Sequence, residues 1–322
     1  MLRPLAAGAA VLWAVVVLAG CGGSGGSRLP AATLVLDFTP NAVHAGIYSA
    51  LARGYDRSAG VRLEVRPPSS STDSVKLLLS GRADFAVLDI HDLAIARAAG
   101  RDIVGVLPLV QRPLAAVLAQ AYVRSPRDLV GRLAGVTGLP SDDAVLRSVV
   151  AGAGGDPRGV REVTIGFDAV PALLGGHVAA ATAFWDVEGV ALHRRRPGIR
   201  EFRVDAYGAP AYPELVLCVT AAKLRADPKL VHAAVTAIVA GYGVTIATPG
   251  RSADDELARV PGLDRPLLLA ELAALHGAFT AGPGQPFGEF GLQRLRAWAA
   301  WEARFGIVKR PPDVQAMFAG AR

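Results

Sequence analysis

The sequence predicts an α/β protein with two doubly wound lobes around a ligand cleft, and three observations support this fold class. Short apolar runs alternate with helical patterns along most of the chain, as in sheets that carry helices on both faces. Two polar or proline-containing breaks, at 111–113 and 207–213, are suited to crossings between lobes. Beyond Ala221 the periodicity is helical only, so the C-terminal helices are expected to pack back on lobe one.

Lobe one is predicted over 32–112 and 213–322 and begins with repeated β-α-β units. Apolar runs bounded by turn residues indicate its strands, and helical periodicity indicates its helices. The predicted strands are 33–38, 61–66, 83–88, 103–109 and 212–219. The predicted helices are 45–53, 72–80, 265–279, 288–305 and a long helix with Leu230, Val231, Ala234, Val235, Ile238, Val239 and Tyr242 on one face.

Lobe two is predicted over 113–212 and shows the same alternation. It opens with Ser125 and Pro126, which suit the cap and the first position of a short helix that ends near Gly131. The further strands and helices follow in turn. The predicted strands are 114–119, 133–136, 160–165 and 179–184, and the predicted helices are 141–151, 169–174 and 187–194.

The first twenty residues predict a signal peptide, because Arg3 precedes an apolar stretch from Leu5 to Ala19. The stretch is shorter than the about 20 apolar residues of a membrane span. It ends in LAGC, which resembles the lipobox of bacterial lipoproteins, where the cysteine is acylated. We therefore expect a signal peptide over 1–20, a lipid anchor on Cys21, a flexible tether over 21–31 and a location on the extracytoplasmic face of the cell membrane.

The composition predicts a well-buried core and excludes several other classes of protein. Hydrophobic residues make up 52% of the chain, and with Cys21 acylated only Cys218 remains, so no internal disulfide is available. The net charge of +6 comes from scattered arginines, and the one dense run, Arg194 to Arg196, follows a helix without interleaved aromatics. That run favours a solvated helix end over a nucleic-acid site. We expect a monomer with no nucleic-acid partner.

Apart from GGSGG at 22–26, which belongs to the predicted flexible tether, the sequence contains no G-x-S-x-G, and it contains no H-E-x-x-H, Walker A or C-x-x-C motif. No two of its six histidines are spaced by three or four residues, so a helical metal site is not expected. Four of them are expected to be structural or exposed: His177, His193, His232 and His276. The prediction is a protein without catalytic residues, metal or cofactor.

Two segments that follow predicted strands carry polar side chains suited to a ligand. DFTPNAVHAGIY, over 37–48, supplies Asp, Asn and His within eight residues and opens a helix whose free N–H groups are available to a ligand. DIHD, over 89–92, lies at the carboxyl end of a strand, the usual ligand edge of an open α/β sheet. Its Asp89, His91 and Asp92 either contact a ligand or cap the next helix, and the sequence does not choose between them.

These segments resemble the NMT1/THI5-like branch of the periplasmic binding proteins, whose members show a W/F-T-P-N-x-x-H-x-G-I-Y pattern. LSGRADFAV, SPRDLVGRLAG, GLPSDDAVL, GGDP and FWDVEG continue the resemblance in the same order along the chain. The resemblance implies the periplasmic binding protein type II fold, in which two lobes close on one ligand, and an ABC permease as membrane partner. Known relatives bind thiamin pyrimidine precursors, riboflavin, nitrate, sulfonates or taurine.

The TPN-x-x-H and W-x-x-E patterns look most like the pyrimidine binders. By position, the resemblance implies ligand contacts from Asn41 and His44 in lobe one and from Trp185 and Glu188 in lobe two. A tryptophan offers a flat face to a heteroaromatic ring, and a carboxylate accepts from an amine. The alternative is that Trp185 belongs to the core and Glu188 starts a helix. The expected ligand residues are Asp37, Phe38, Asn41, His44, Asp89, His91, Pro140, Ser141, Trp185, Glu188 and Tyr212.

Departures from the pattern keep other ligands open. Phe38 replaces the tryptophan common at this position in pyrimidine binders, which leaves a wider or differently shaped ligand open. Riboflavin is one of the alternative ligands. Asp89 and Asp92 argue against nitrate, sulfonates and taurine, because burying an anion near carboxylates is unfavourable. The superfamily also includes a pyrimidine synthase, whose relatives carry a cysteine-rich motif absent here. A lipid-anchored sensor without transport is a further alternative.

Overall fold

The structure is a computed structural model that describes residues 29–70, 72–282 and 284–321. The predicted signal peptide, Cys21 as the predicted site of lipidation and most of the predicted tether lie outside the described residues. Strands in the described part of the chain form two sheets of five strands each. The strands are β1 (Ala31–Val35), β2 (Arg62–Arg66), β3 (Phe85–Asp89), β4 (Ile103–Pro108), β5 (Ala115–Ala119), β6 (Leu133–Val136), β7 (Arg161–Thr164), β8 (Ala180–Phe184), β9 (Arg200–Arg203) and β10 (Leu215–Thr220).

Helices accompany both sheets, and those that begin at 45, 73, 140, 169 and 265 start within one residue of a predicted position. Several of them begin with an N-cap side chain. Asp264 is an example, because its carboxylate accepts a hydrogen bond from the Leu267 N–H at 2.7 Å. The helices are α1 (Ala45–Ala52), α2 (Tyr55–Ser58), α3 (Asp73–Leu79), α4 (Ile90–Ala98), α5 (Pro140–Gly152), α6 (Ala169–Leu174), α7 (Val190–Arg195), α8 (Ala221–Ala226), α9 (Pro228–Ala247), α10 (Pro249–Leu257), α11 (Arg265–Leu275), α12 (Leu292–Arg304) and α13 (Val314–Met317).

Each sheet combines parallel strands with one antiparallel insertion. The first has the order β2-β1-β3-β10-β4, in which β10 runs antiparallel to both neighbours. The second has the order β7-β6-β8-β5-β9, in which β5 runs antiparallel to both neighbours. The chain therefore passes from the first sheet to the second at 109–114 and returns at 204–214. We call the first sheet with its helices lobe one and the second lobe two.

Several elements of the structure were absent from the sequence prediction or differ from it, among them β9, α10 and the start of α7. The edge strand β9 and the helix α10 were not predicted, because REFR contains one apolar residue and PGRSADDEL contains only Ala253 and Leu257 besides its proline and glycine. The helix expected over 187–194 instead begins with a π-helical turn over Trp185–Gly189, followed by α7. Insertion of this wider turn changes the directions in which Trp185 and Glu188 point.

Helix α9 is the one helix of the described residues long and apolar enough to cross a membrane by length and composition. Here its apolar face packs against α1, with Ile238 and Tyr242 buried. The two helices approach closely because Gly241 lacks a side chain: a Cβ there would lie 2.0 Å from the carbonyl oxygen of Gly46. This contact brings Tyr242 to the turn before α1, where the cleft begins.

Candidate functional site

A cleft of about 880 Å³, counting its open mouth, lies between the two lobes. Its walls are mostly apolar, and they come from the carboxyl ends of the parallel strands and the loops that follow them, and from the first residues of the antiparallel strands β5 and β10. This is the edge at which open α/β sheets bind ligands. Six of the expected ligand residues line it: Asp37, Phe38, Asn41, Asp89, Ser141 and Glu188.

The charged side chains of the cleft are all acidic. Lobe one supplies three carboxylates and lobe two supplies two, and no lysine, arginine or histidine among the described residues lines the cleft. Asn, Ser and Thr side chains complete the polar part of the wall. The five carboxylates belong to Asp37, Asp89, Asp92, Asp142 and Glu188.

The segment before α1 is a short capped turn that presents Asp37 and Asn41 to the cleft. The Asn41 side chain accepts a hydrogen bond from the Val43 N–H at 2.9 Å, and the Asn41 N–H donates to His44 Nδ1 at 3.3 Å. With Nδ1 as acceptor, His44 Nε2 carries the proton and donates to Asp37 Oδ1 at 2.9 Å. His44 is fully buried and does not line the cleft, so the structure places it behind Asp37, where it orients that carboxylate.

Contacts from the C-terminal helices hold this turn in place. The Tyr242 hydroxyl donates to the Val43 carbonyl oxygen at 2.6 Å. The Ala42 N–H donates to Glu271 Oε2 at 3.3 Å. Helices α9 and α11, which follow the second crossing, therefore fix a ligand edge formed by the N-terminal part of the chain.

The DIHD segment caps a helix and lines the cleft at the same time. Asp89 ends β3, and its Oδ1 accepts a hydrogen bond from the His91 N–H at 2.7 Å, which caps α4. Asp89 and Asp92 both line the cleft. Asp92 Oδ1 accepts a hydrogen bond at 3.0 Å from Ser141 Oγ, which belongs to the first turn of α5 in lobe two. Helix capping and ligand contact, the two roles that the sequence left open for this segment, are thus compatible.

His91 and Tyr212 lie behind the cleft wall, which corrects their assignment as ligand residues. Successive residues of a helix point about 100° apart, so the helix start that turns Asp92 to the cleft turns His91 into lobe one. His91 is fully buried, with Nδ1 against Glu302 and Nε2 3.0 Å from the Tyr212 hydroxyl, which is itself fully buried. Neither side chain lines the cleft.

Asp89, His91 and Glu214 bring three potential metal-ligand atoms within 4.8 Å of one another. Both imidazole nitrogens already have a partner among the described residues, Glu302 on one side and Tyr212 on the other. Burial lowers the pKa of His91, but Glu302 and Asp89 raise it more, to about 10. A protonated imidazole has no lone pair for a metal, so the arrangement favours an imidazolium among carboxylates over a metal centre.

Trp185 and Glu188 do not act on one face as the sequence spacing suggested. The Trp185 indole N–H donates to the Pro113 carbonyl oxygen at 2.9 Å, and the Arg203 guanidinium lies 4.0 Å from the centre of its ring. Trp185 is buried beside the first crossing and does not line the cleft. A π-helical turn holds more residues per turn than an α-helix, so residues three apart diverge. Glu188 does line the cleft, where its carboxylate accepts from the Phe184 N–H at 3.2 Å.

Sequence reasoning missed Phe167, which meets Phe38 across the mouth of the cleft. The ring centres are 4.4 Å apart and the planes are inclined by 75°, an edge-to-face contact between lobe two and lobe one. Phe167 follows β7, and its position just after the end of a parallel strand is the signal that was available in the sequence. The side chain of Pro140 lies outside the described part of the chain.

Asp142 was also missed, although it follows the expected Ser141 directly. Its carboxylate accepts a hydrogen bond from the Thr137 N–H at 2.6 Å, which ties the end of β6 to the start of α5. Burial raises the pKa of Asp142 and raises that of Asp89 well above its usual range. Burial also raises the pKa of Asp92 and of Glu188 to about 7. The cleft therefore favours hydrogen-bond donors and cations over anions.

Comparison with known proteins finds a matching family model and similar proteins that are named as ligand-binding proteins. The family model described as NMT1/THI5 like matches residues 41–252. The formylaminopyrimidine-binding protein of Halalkalibacterium halodurans is 29% identical over 294 residues, which cover 89% of each chain. The riboflavin-binding protein RibY of Chloroflexus aurantiacus is 27% identical over 305 residues, 89% of this chain and 84% of that one.

Solved structures share the fold. The alkanesulfonate-binding protein SsuA from Xanthomonas axonopodis pv. citri, bound to MOPS, superposes with a TM-score of 0.70 at 16% identity. The match covers 90% of this chain and 98% of that one. The predicted fold class, a periplasmic binding protein of two α/β lobes around a cleft, is thus confirmed.

Proposed function

Because the chain belongs to the NMT1/THI5-like family, we propose that it is the solute-binding component of an ABC importer for a small pyrimidine with amine donors. One observation carries the choice of ligand: the cleft holds five carboxylates, and no basic side chain of the described residues lines it. Amine and protonated ring nitrogens are donors, and buried carboxylates are acceptors that need them. The relative that binds a formylaminopyrimidine supports the same class.

The acidic lining also discriminates against anions. A sulfonate or nitrate in this cleft would lie among buried carboxylates without a cationic side chain of the described residues to compensate its charge. The likeness to the alkanesulfonate-binding protein concerns the fold alone. Among the ligands that the resemblance implies, the cleft therefore favours a pyrimidine or riboflavin, both of which lack a fixed negative charge.

The shape of the cleft suits a flat ring. Apolar side chains form most of the wall, and Phe38, Phe167 and Phe184 line it with aromatic surface from both lobes. A heteroaromatic ring gains stacking or edge contacts there while its amines reach the carboxylates. Trp185 does not line the cleft, so the phenylalanines rather than Trp185 supply the aromatic contacts with the ligand.

We further propose binding without turnover. Cys218 is fully buried away from the cleft, and burial raises the pKa of its thiol, which disfavours the reactive thiolate. His44 and His91 are enclosed behind the wall. The proposal includes delivery of the ligand to an ABC permease from the extracytoplasmic face of the membrane, with Cys21 as the lipid anchor and one ligand per monomer.

Mass spectrometry of the ligand released from the purified protein tests the proposal directly. We expect an aminopyrimidine. Calorimetry with formylaminopyrimidine, riboflavin, an alkanesulfonate and nitrate gives the second test, in which formylaminopyrimidine should bind tightest. Tight binding of either anion would overturn the electrostatic argument, and preferential binding of riboflavin would overturn the choice of ligand while leaving that argument intact.

A further inference from the structure

We propose that Glu214 is a positioning residue that couples the floor of the ligand cleft to the crossings between the lobes. Its side chain is fully buried at the end of the second crossing, just before β10. Glu214 Oε2 accepts hydrogen bonds from the N–H groups of Leu114 and Ala115, and the second of these measures 3.0 Å. These two residues end the first crossing and begin β5. One carboxylate therefore joins both crossings.

The main chain of Glu214 is tied to the cleft floor. Its carbonyl oxygen accepts a hydrogen bond from the Ile90 N–H at 2.9 Å, and the next residue, Leu215, pairs in register with Asp89. Asp89, Ala115 and Leu215 all line the cleft. A ligand that binds the Asp89 carboxylate therefore lies beside Leu215. The preceding residue is Glu214, whose side chain binds the first crossing.

His91 supplies the charge that opposes these carboxylates. Its Nε2 lies 3.7 Å from Glu214 Oε1, an oxygen without a hydrogen-bond partner among the described residues, and its Nδ1 faces Glu302. Trp298 Nε1 also lies 3.3 Å from Nδ1. The charged and titratable groups around His91 are Asp89 on β3, Asp92 on α4, Glu302 on α12, and Tyr212 and Glu214 on the second crossing.

The coupling follows from one cation shared by several buried carboxylates. An amine donor that binds Asp89 would compensate part of the negative charge of this carboxylate. The His91 cation would then interact more strongly with the carboxylates of Glu214 and Glu302. Glu214 then holds the Leu114 and Ala115 N–H groups in a fixed place. This role rests on the proposed function, because it assumes a ligand that donates to Asp89.

Glu214→Gln is the direct test. The amide oxygen still accepts from the two N–H groups, but the charge that faces His91 is removed. Glu256→Gln is the matched control, since Glu256 is an equally buried carboxylate of lobe one on α10, outside the cleft and the crossings. Spin labels at Arg225→Cys in lobe one and Arg158→Cys in lobe two report the distance between the lobes, because both side chains are well exposed.

In the mature chain without ligand, we expect Glu214→Gln to broaden the distribution of distances between the lobes and Glu256→Gln to leave it unchanged. Affinity for formylaminopyrimidine should fall about tenfold in Glu214→Gln only. A Glu214→Gln protein that loses only thermal stability, with wild-type distances and affinity, would show a purely structural role and overturn the coupling.

A measurement without substitution covers the case in which Glu214→Gln does not fold. Amide hydrogen exchange of Leu114 and Ala115 in the wild-type chain should slow when formylaminopyrimidine binds, more than at amides of β6 away from the crossings. Unchanged exchange at these two amides in the saturated protein would contradict the coupling. Failure of the wild-type protein to bind formylaminopyrimidine would refute the proposed function instead, and the distances in the ligand-free protein would still test Glu214.

Discussion

Ser141 of lobe two donates a hydrogen bond to Asp92 of lobe one, with 3.0 Å between Oγ and Oδ1. The edge-to-face contact of Phe38 with Phe167 is a second direct link between the lobes. Both links lie in the wall of the ligand cleft, so the conformation seen here is one in which the lobes touch. Contacts that exist only when the lobes touch stabilise the closed state, and affinity depends on the population of that state.

Ser141→Ala should weaken ligand binding through this link. Loss of one hydrogen bond to a buried carboxylate is worth about 1 to 2 kcal/mol, so calorimetry should show an affinity lower by about 5- to 30-fold. Ser148→Ala is the control, because Ser148 lies on the same helix and, within the described part of the chain, its hydroxyl bonds only to the Val145 carbonyl oxygen. Equal affinities of the two variants would show that the link does not contribute to closure.

Glu188→Gln should lower affinity for an aminopyrimidine by roughly 1 to 3 kcal/mol, or about 5- to 150-fold, since a charge-assisted bond becomes a neutral one. Glu162→Gln is the control in lobe two, because Glu162 lies on the exposed strand β7 outside the cleft, although partial desolvation and the neighbouring Asp143 also raise its pKa to about 7. Calorimetry on both variants makes the comparison. An undiminished affinity in Glu188→Gln would remove Glu188 from the ligand contacts.

The affinity of the wild-type protein for such a ligand should fall as the pH drops below about 7. Burial raises the pKa of Glu188 to about 7, and a bound amine favours the ionised form, so binding must displace a proton at lower pH. The decline approaches about tenfold per pH unit for one proton. Titrations between pH 5 and 8 should show this slope in the Glu162→Gln protein and a flatter one in Glu188→Gln. A slope of the same size in both variants would assign the proton to another group.

Trp185→Phe should lower stability more than it affects the ligand contacts. The substitution removes the indole hydrogen bond to the Pro113 carbonyl oxygen but keeps a ring beneath the Arg203 guanidinium. We expect the free energy of unfolding to fall by about 1 kcal/mol in chemical denaturation. Affinity should change less than in Glu188→Gln. A large loss of affinity with unchanged stability would restore the original assignment of Trp185 as a stacking residue.

Stability should decrease as the pH rises from about 5 to 9. Burial raises the pKa of Glu256 well above its usual range, so the folded chain keeps a proton that the unfolded chain has lost. His91 acts in the same direction: its pKa of about 10 gives stability that is complete below its ordinary value near 6.5 and is lost as the pH rises towards 10. For Glu256→Gln, unfolding curves at several pH values should show a smaller loss of stability as the pH rises. A wild-type stability that increases with pH would contradict both assignments.

Cys21→Ser tests the proposed lipid anchor. The wild-type protein should incorporate a labelled fatty acid and partition into membranes when it is expressed with its own N-terminus. The variant should lose the label and remain in the soluble extracytoplasmic fraction, because one thiol is the proposed site of acylation. Persistent acyl labelling of Cys21→Ser would place the modification elsewhere.

The sequence by itself determined the alternation of strands and helices and the segments that reach the ligand edge. Periodicity and capping are local properties, so β6 and α6 begin and end where they were predicted. Asp37, Asn41, Asp89 and Ser141 were found because they follow strands or begin helices. A residue in such a place reaches the ligand edge whenever the sheet is built in the usual way.

Only the tertiary structure decided which side chains face the cleft. His44 and Asp37 are both polar and lie in one segment, yet one is buried behind the other, because the direction of a side chain depends on the turn that carries it. Trp185 and Glu188 diverge because five residues form a π-helical turn, which spacing alone does not reveal. The contacts of Phe38 with Phe167 and of Glu214 with Leu114 join residues far apart in the chain, and such pairings are fixed by the packing of the lobes rather than by any local pattern.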